Sequence, residues 1–170
     1  AALDDDIGSL AGEPSPTVGQ FGQALQFDGV DDRLGLAGVT YTPEFTLSYW
    51  FKLADNTGTG YRYLYADGTA GVQNSLNVYF IEDATSTASG IKNVLRTSLV
   101  DSNDGTAIAN TSALDIPVTG LLDNRWHQYT LTTVTGTGSS VYIDGTLRAI
   151  SSQGGDTLTT SGSVLLGANS

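Results

Sequence analysis

Apolar residues in this chain recur with a period near two, in short runs rich in Val, Tyr, Thr, Leu and Phe. Clusters of Gly, Asn, Asp and Ser break the runs. Side chains alternate between faces along an extended strand, so the pattern predicts half-buried β-strands and gives no sign of a helix of ordinary length. Candidate strands fall at 20–28, 32–38, 45–53, 61–66, 75–82, 91–99, 107–112, 126–134, 139–144, 147–151 and 163–167. So many short strands predict an all-β, two-sheet antiparallel sandwich. Thr119–Asn124 is expected to form a single turn before Trp126.

Turn chemistry orders some of these strands. Asp144-Gly145, between Val141-Tyr142-Ile143 and Thr146-Leu147-Arg148, is a dipeptide that accepts positive φ in a two-residue hairpin, which makes 139–144 and 147–151 antiparallel neighbours. Gly136-Thr137-Gly138 links Tyr129–Val134 to Val141–Ile143 in the same way, extending the meander.

A chain of 170 residues fits a single domain, 1–170, that buries roughly 70% of its unfolded surface. Its 18 Asp plus Glu against 7 Lys plus Arg give a formal charge of −11, which disfavours nucleic acid and anionic lipid and favours cations. The absence of cysteine excludes disulfides, zinc thiolates and thiol catalysis. No run approaches the roughly 20 apolar residues of a membrane-spanning helix, so membrane insertion is not expected. The absence of Met, even at position 1, predicts excision or processing from a longer chain.

Three spaced signatures go further: Ala24-Leu25-Gln26-Phe27-Asp28-Gly29-Val30-Asp31-Asp32, Phe45-Thr46-Leu47-Ser48-Tyr49-Trp50-Phe51-Lys52, and Trp126-His127-Gln128-Tyr129-Thr130-Leu131 followed by Val141-Tyr142-Ile143-Asp144-Gly145. In order and spacing they resemble the laminin-G-like jelly-roll branch of the concanavalin A-like lectin/glucanase superfamily. The resemblance implies a concanavalin A-like jelly roll and a carbohydrate-binding or adhesive module. Typical relatives continue past Leu165-Leu166-Gly167-Ala168-Asn169-Ser170 into a final strand, so the sandwich is expected either to lack that strand or to take it from sequence beyond Ser170. Both tryptophans are expected in the core, because large aromatics fill sandwich interiors. His127 is expected to fix a strand edge by hydrogen bonds rather than to catalyse.

Calcium is the expected cofactor. It takes six to eight oxygens, and short Asp- and Asn-rich turns present several at once. Two segments qualify: Asp28, Gly29 and Asp31 in one turn, and Asp101, Asn103 and Asp104 in another. In relatives, the segment resembling Asp28-Gly29 contributes to a structural calcium. A loop surface carrying Tyr61, Tyr63, Asp67, Asp83 and Asp101 is the expected ligand site, since sugars pair apolar C–H patches with many hydroxyls.

Catalysis is not expected. A serine triad needs a histidine beside an exposed serine elbow, and His127 is the only histidine, with no Gly-x-Ser-x-Gly motif in the chain. Related glucanases use a Glu-x-Asp-x-x-Glu strand, and none of Glu13, Glu44 or Glu82 has that neighbourhood. Adjacent Glu82 and Asp83 point to opposite faces of a strand and cannot jointly flank one glycosidic bond.

The reading is a non-catalytic, extracellular or cell-surface, calcium-stabilised module whose partners are a glycan or cell-surface polysaccharide and adjacent domains of the same polypeptide. In composition it resembles domains of large bacterial calcium-dependent adhesins. The alternative is a split scaffold domain that positions a neighbouring ligand-binding domain without binding sugar itself.

Overall fold

The computed structural model of the protein describes residues 7–12, 14–37, 39–55, 60–68, 74–82, 90–100, 114–134, 137–151, 158 and 163–167. Thirteen strands order them: β1 (Ile7–Ala11), β2 (Ser15–Val18), β3 (Gln23–Gln26), β4 (Arg33–Ala37), β5 (Glu44–Lys52), β6 (Tyr61–Asp67), β7 (Ser75–Ile81), β8 (Val94–Val100), β9 (Asp115–Pro117), β10 (Trp126–Val134), β11 (Gly138–Ile143), β12 (Thr146–Ser151) and β13 (Ser163–Leu166). The expected strand at 107–112 lies outside the described residues.

A seven-stranded sheet runs β1-β4-β13-β6-β7-β8-β9, a four-stranded sheet runs β12-β11-β10-β5, and β2 pairs with β3 in a separate ribbon. All pairings are antiparallel, as the sequence predicts. Alternation places Phe51, Tyr129, Leu131, Val141 and Ile143 on the inner face of the smaller sheet. Leu76, Val78, Phe80, Leu95 and Leu99 come from the larger one, and together they form one core.

The hairpin at Asp144-Gly145 forms as expected, with φ of 52° and 74°, and β10 pairs with β11 along its length. Thr119–Asn124 makes a turn closed by Leu121 N–H donating to Val118 O at 2.8 Å. Strands β1, β2 and β9 were not expected. The β2–β3 ribbon shortens the predicted 20–28 strand, because Gly19 N–H donates to Gly22 O at 2.9 Å and closes a turn through Phe21.

Strand β6 holds one irregularity with consequences for the site. Tyr63 pairs with Tyr79 but Tyr65 pairs with the adjacent Val78, so a bulge at Leu64 reverses which face the following residues occupy. Tyr61 and Tyr63 point away from the core, whereas Tyr65 and Asp67 point into it.

Candidate functional site

The Asp28–Asp32 turn is built by its own first side chain. Asp28 Oδ1 accepts the backbone N–H of Val30 at 2.8 Å, of Asp31 at 3.3 Å and of Asp32 at 3.4 Å, while Asp28 N–H donates to Asp32 Oδ2 at 2.9 Å. The first of these bonds does most to hold the Asp28 carboxyl below the usual carboxylate range. Asp28, Asp31 and Asp32 each offer one oxygen, and these oxygens lie within 4.8 Å of one another.

The three carboxylates line a cleft of about 470 Å³ together with Gly12, Ser15 and Gln26. Oxygens bound to one calcium at about 2.4 Å lie at most about 4.8 Å apart, so the donor set fits a single hard cation. Gly12 is needed here: at φ +71°, an added Cβ would fall 2.4 Å from Asp32 Oδ1. Of the expected set, Asp28 and Asp31 converge, joined by the largely buried Asp32, whereas Gly29 lies in the same turn but does not line the cleft. No sequence signal singled out Gly12. The second expected cluster, Asp101, Asn103 and Asp104, lies outside the described residues, as does Asp83.

The expected loop surface is not assembled as one patch among the described residues. Tyr61 and Tyr63 pack on Tyr79, with ring centroids 5.6 and 5.0 Å away. Tyr79 also bonds to Arg96, which grips Asp115 through Nε at 2.7 Å and Nη2 at 2.5 Å. Asp67 departs from the expectation: it is 2% exposed, and its Oδ2 accepts the Tyr41 hydroxyl. The bulge at Leu64 is the physical reason.

His127 is placed as expected, as a structural group. Its Nδ1 lies 2.8 Å from Asp144 Oδ2 and its Nε2 3.1 Å from Asp123 Oδ1, and Gln128 N–H donates to Asp144 Oδ1 at 2.8 Å. Ionised carboxylates only accept, so carboxylate oxygens at both ring nitrogens favour the doubly protonated ring. Burial alone would lower the histidine pKa; the bonds to Asp144 and Asp123 outweigh it and raise it.

Trp50 corrects the sequence reading. It is 36% exposed on the outer face of β5, with Phe21 edge-on at 5.7 Å and an interplanar angle of 76°. The signal was present: in 45–52 the inward set is Phe45, Leu47, Tyr49 and Phe51, which leaves Trp50 outward with Thr46, Ser48 and Lys52. Trp126 shares that outer face, because its strand neighbour His127 points inward against Phe51.

Two antiparallel sheets packed face to face, with a seven-plus-four strand count, define a concanavalin A-like β-sandwich. Residues 28–170 match the Laminin_G_3 family of the concanavalin A-like lectin/glucanases superfamily, and the chain belongs to that family. Among solved structures, it is similar to the receptor-binding domain of botulinum neurotoxin C/D mosaic serotype (TM-score 0.65, 12% identity, covering 95% of this chain and 39% of that one). Domain 4 of AbnA, a GH43 extracellular arabinanase from Geobacillus stearothermophilus, in complex with arabinotriose, gives a TM-score of 0.61 at 16% identity, over 93% of this chain and 68% of that one. The botulinum neurotoxin serotype D ligand-binding domain in complex with N-acetylneuraminic acid gives 0.59 at 13% identity, over 82% and 33%. The chain thus spans about two fifths of the first neurotoxin domain. No curated protein matches it in sequence.

Proposed function

We propose that this protein is a non-catalytic carbohydrate-binding module, extracellular or cell-surface in location, whose Asp28–Asp32 turn is stabilised by calcium. The observation that carries the reading is the likeness over 93% of the chain to an arabinanase domain seen with arabinotriose bound. The neurotoxin domain seen with N-acetylneuraminic acid adds support, though this chain spans a third of it.

The cation reading rests on three carboxylates converging on one cleft in a chain of formal charge −11. Convergent like charges repel, and a bound divalent cation reverses that energy. Support for a non-catalytic role comes from Glu82, which is 4% exposed and held 2.5 Å from Arg62 Nε, hence unsuited to meet a glycosidic bond. Attachment to a bacterial surface and a role in adhesion are part of the same proposal, supported by the acidic, cysteine-free composition.

The test is a glycan array probed in millimolar calcium and again in excess chelator. Binding in both buffers with a calcium-raised melting temperature is the expected result. A blank array from demonstrably folded protein would overturn the sugar-binding reading and favour the scaffold alternative.

A further inference from the structure

We propose that the outer face of the four-stranded sheet, centred on Trp50, is the sugar-binding surface, and that it takes a neutral glycan chain; this rests on the carbohydrate-binding reading above. Strand register sets the face. Trp50 lies opposite Gln128, Ser48 opposite Thr130, and Thr130 opposite Tyr142, so an indole, an amide, two hydroxyls and a phenol share one outward surface. Gln128 Nε2 donates to Ser48 Oγ at 3.3 Å, and Ser48 Oγ and Thr130 Oγ1 are 3.0 Å apart, which orders the polar row beside the indole.

Large aromatics at 36% exposure for Trp50 and 76% for Phe21 lose apolar burial, and a contiguous exposed aromatic pair marks a contact surface. Phe21 props the indole edge-on from the β2–β3 turn, so the ring is held in place before a ligand arrives. An apolar ring beside ordered hydroxyls and an amide matches a sugar, which offers C–H faces and hydroxyls together.

Charge narrows the class. The outward residues of β5 and β10 between Glu44 and Lys52 are uncharged, although the chain carries −11 overall. Lys52, opposite Trp126, is the cation at one end of these two strands; along the row between it and Glu44 nothing pairs with carboxylate or sulfate groups, whereas a neutral chain needs no such partner there. On the opposite outer face, the middle of the seven-stranded sheet is covered at Asn77, Ser98 and Val100, all 0% exposed.

Both tryptophans of the chain, Trp50 and Trp126, lie on the proposed face, so intrinsic fluorescence reports on it directly. The experiment is affinity electrophoresis of the protein through gels containing arabinan, xylan or β-glucan as neutral probes, or polygalacturonate or polysialic acid as anionic ones, with fluorescence titration of any polymer that retards it. Retardation by a neutral polymer, a tryptophan emission change on titration, and weakening of about tenfold or more in Trp50→Ala are expected. Phe21→Ala and Gln128→Ala, each checked by thermal melt, keep the test valid if Trp50→Ala misfolds. Retardation without an emission change, or undiminished in folded variants, would place the sugar elsewhere and overturn this inference while leaving the carbohydrate-binding reading intact. Retardation by anionic polymers alone would overturn the neutral class. Binding to none of the five would remove the carbohydrate-binding reading and this inference with it.

Discussion

The hydroxyl of Tyr129 and Oγ1 of Thr97 meet at 2.7 Å across the interface between the two sheets, both side chains fully buried. Tyr129 belongs to β10 and Thr97 to β8, and Tyr49 stacks on the Tyr129 ring at 5.0 Å. Tyr129→Phe leaves the Thr97 hydroxyl unpaired in the core, and the expected loss is about 1–3 kcal/mol of unfolding free energy in urea titrations. Adding Thr97→Val removes the orphaned group and should recover most of that loss; a double variant no better than the single one would refute the pairing argument.

His127 gives the fold a pH signature. Its folded pKa stands above the ordinary value of 6.5, so its contribution is complete below about pH 6.5 and is lost as pH rises through the raised value. The carboxyl of Asp144 is lowered: burial opposes this, but the bonds from His127 and the Gln128 amide prevail. Its contribution is present above the ordinary 3.8 and is lost as pH falls through the lowered value. His127→Gln should therefore lower the melting temperature more at about pH 5.5 than at about pH 9. Equal drops at both would mean that folding does not raise the His127 pKa.

Arg96 and Asp115 fasten the edge strand β9 to β8, with both side chains at most 15% exposed. Asp115→Asn keeps the shape but strands the guanidinium charge, and a loss of about 2–4 kcal/mol is expected in denaturant titrations. A change below about 0.5 kcal/mol would put the pair in the class of exposed surface salt bridges.

Much of this was legible in the residues. Alternation marked β5, β10 and β11, and Asp144-Gly145 marked the hairpin, because strand period and positive-φ turns are local properties. The exchange of faces in β6 was not legible: Tyr61, Tyr63, Tyr65 and Asp67 keep perfect spacing in sequence, and the bulge appears only when Tyr65 pairs with Val78. Asp67 was lost to the core for that reason. Trp50 was misread because a tryptophan between Tyr49 and Phe51 looks like a run buried on both sides, although the neighbouring Ser48 and Lys52 fixed its face. Gly12 could not be found, since its closeness to Asp32 depends on β1 pairing with β4.

Calcium should raise the melting temperature of the wild-type protein, by an amount equivalent to about 2.7 kcal/mol at a hundredfold excess over Kd. Asp28→Asn and Asp32→Asn retain size and hydrogen-bonding oxygens, and each should abolish most of that shift. Gly12→Ala should do the same and also destabilise the metal-free protein, because its Cβ has no room at 2.4 Å from Asp32 Oδ1. A calcium shift unchanged in all three would remove the cation from this cleft.

Among the described residues of the larger sheet, β13 joins the β1–β4 pair to the β6–β9 ribbon, yet it follows both in sequence. Without Ser163–Leu166 between them, these two parts of the wall share no strand pairing, and each presents an open edge to the gap. Closure of this half of the sandwich thus waits on a strand far along the chain from those it joins, and without Ser163–Leu166 two open edges would be able to recruit strands from other chains.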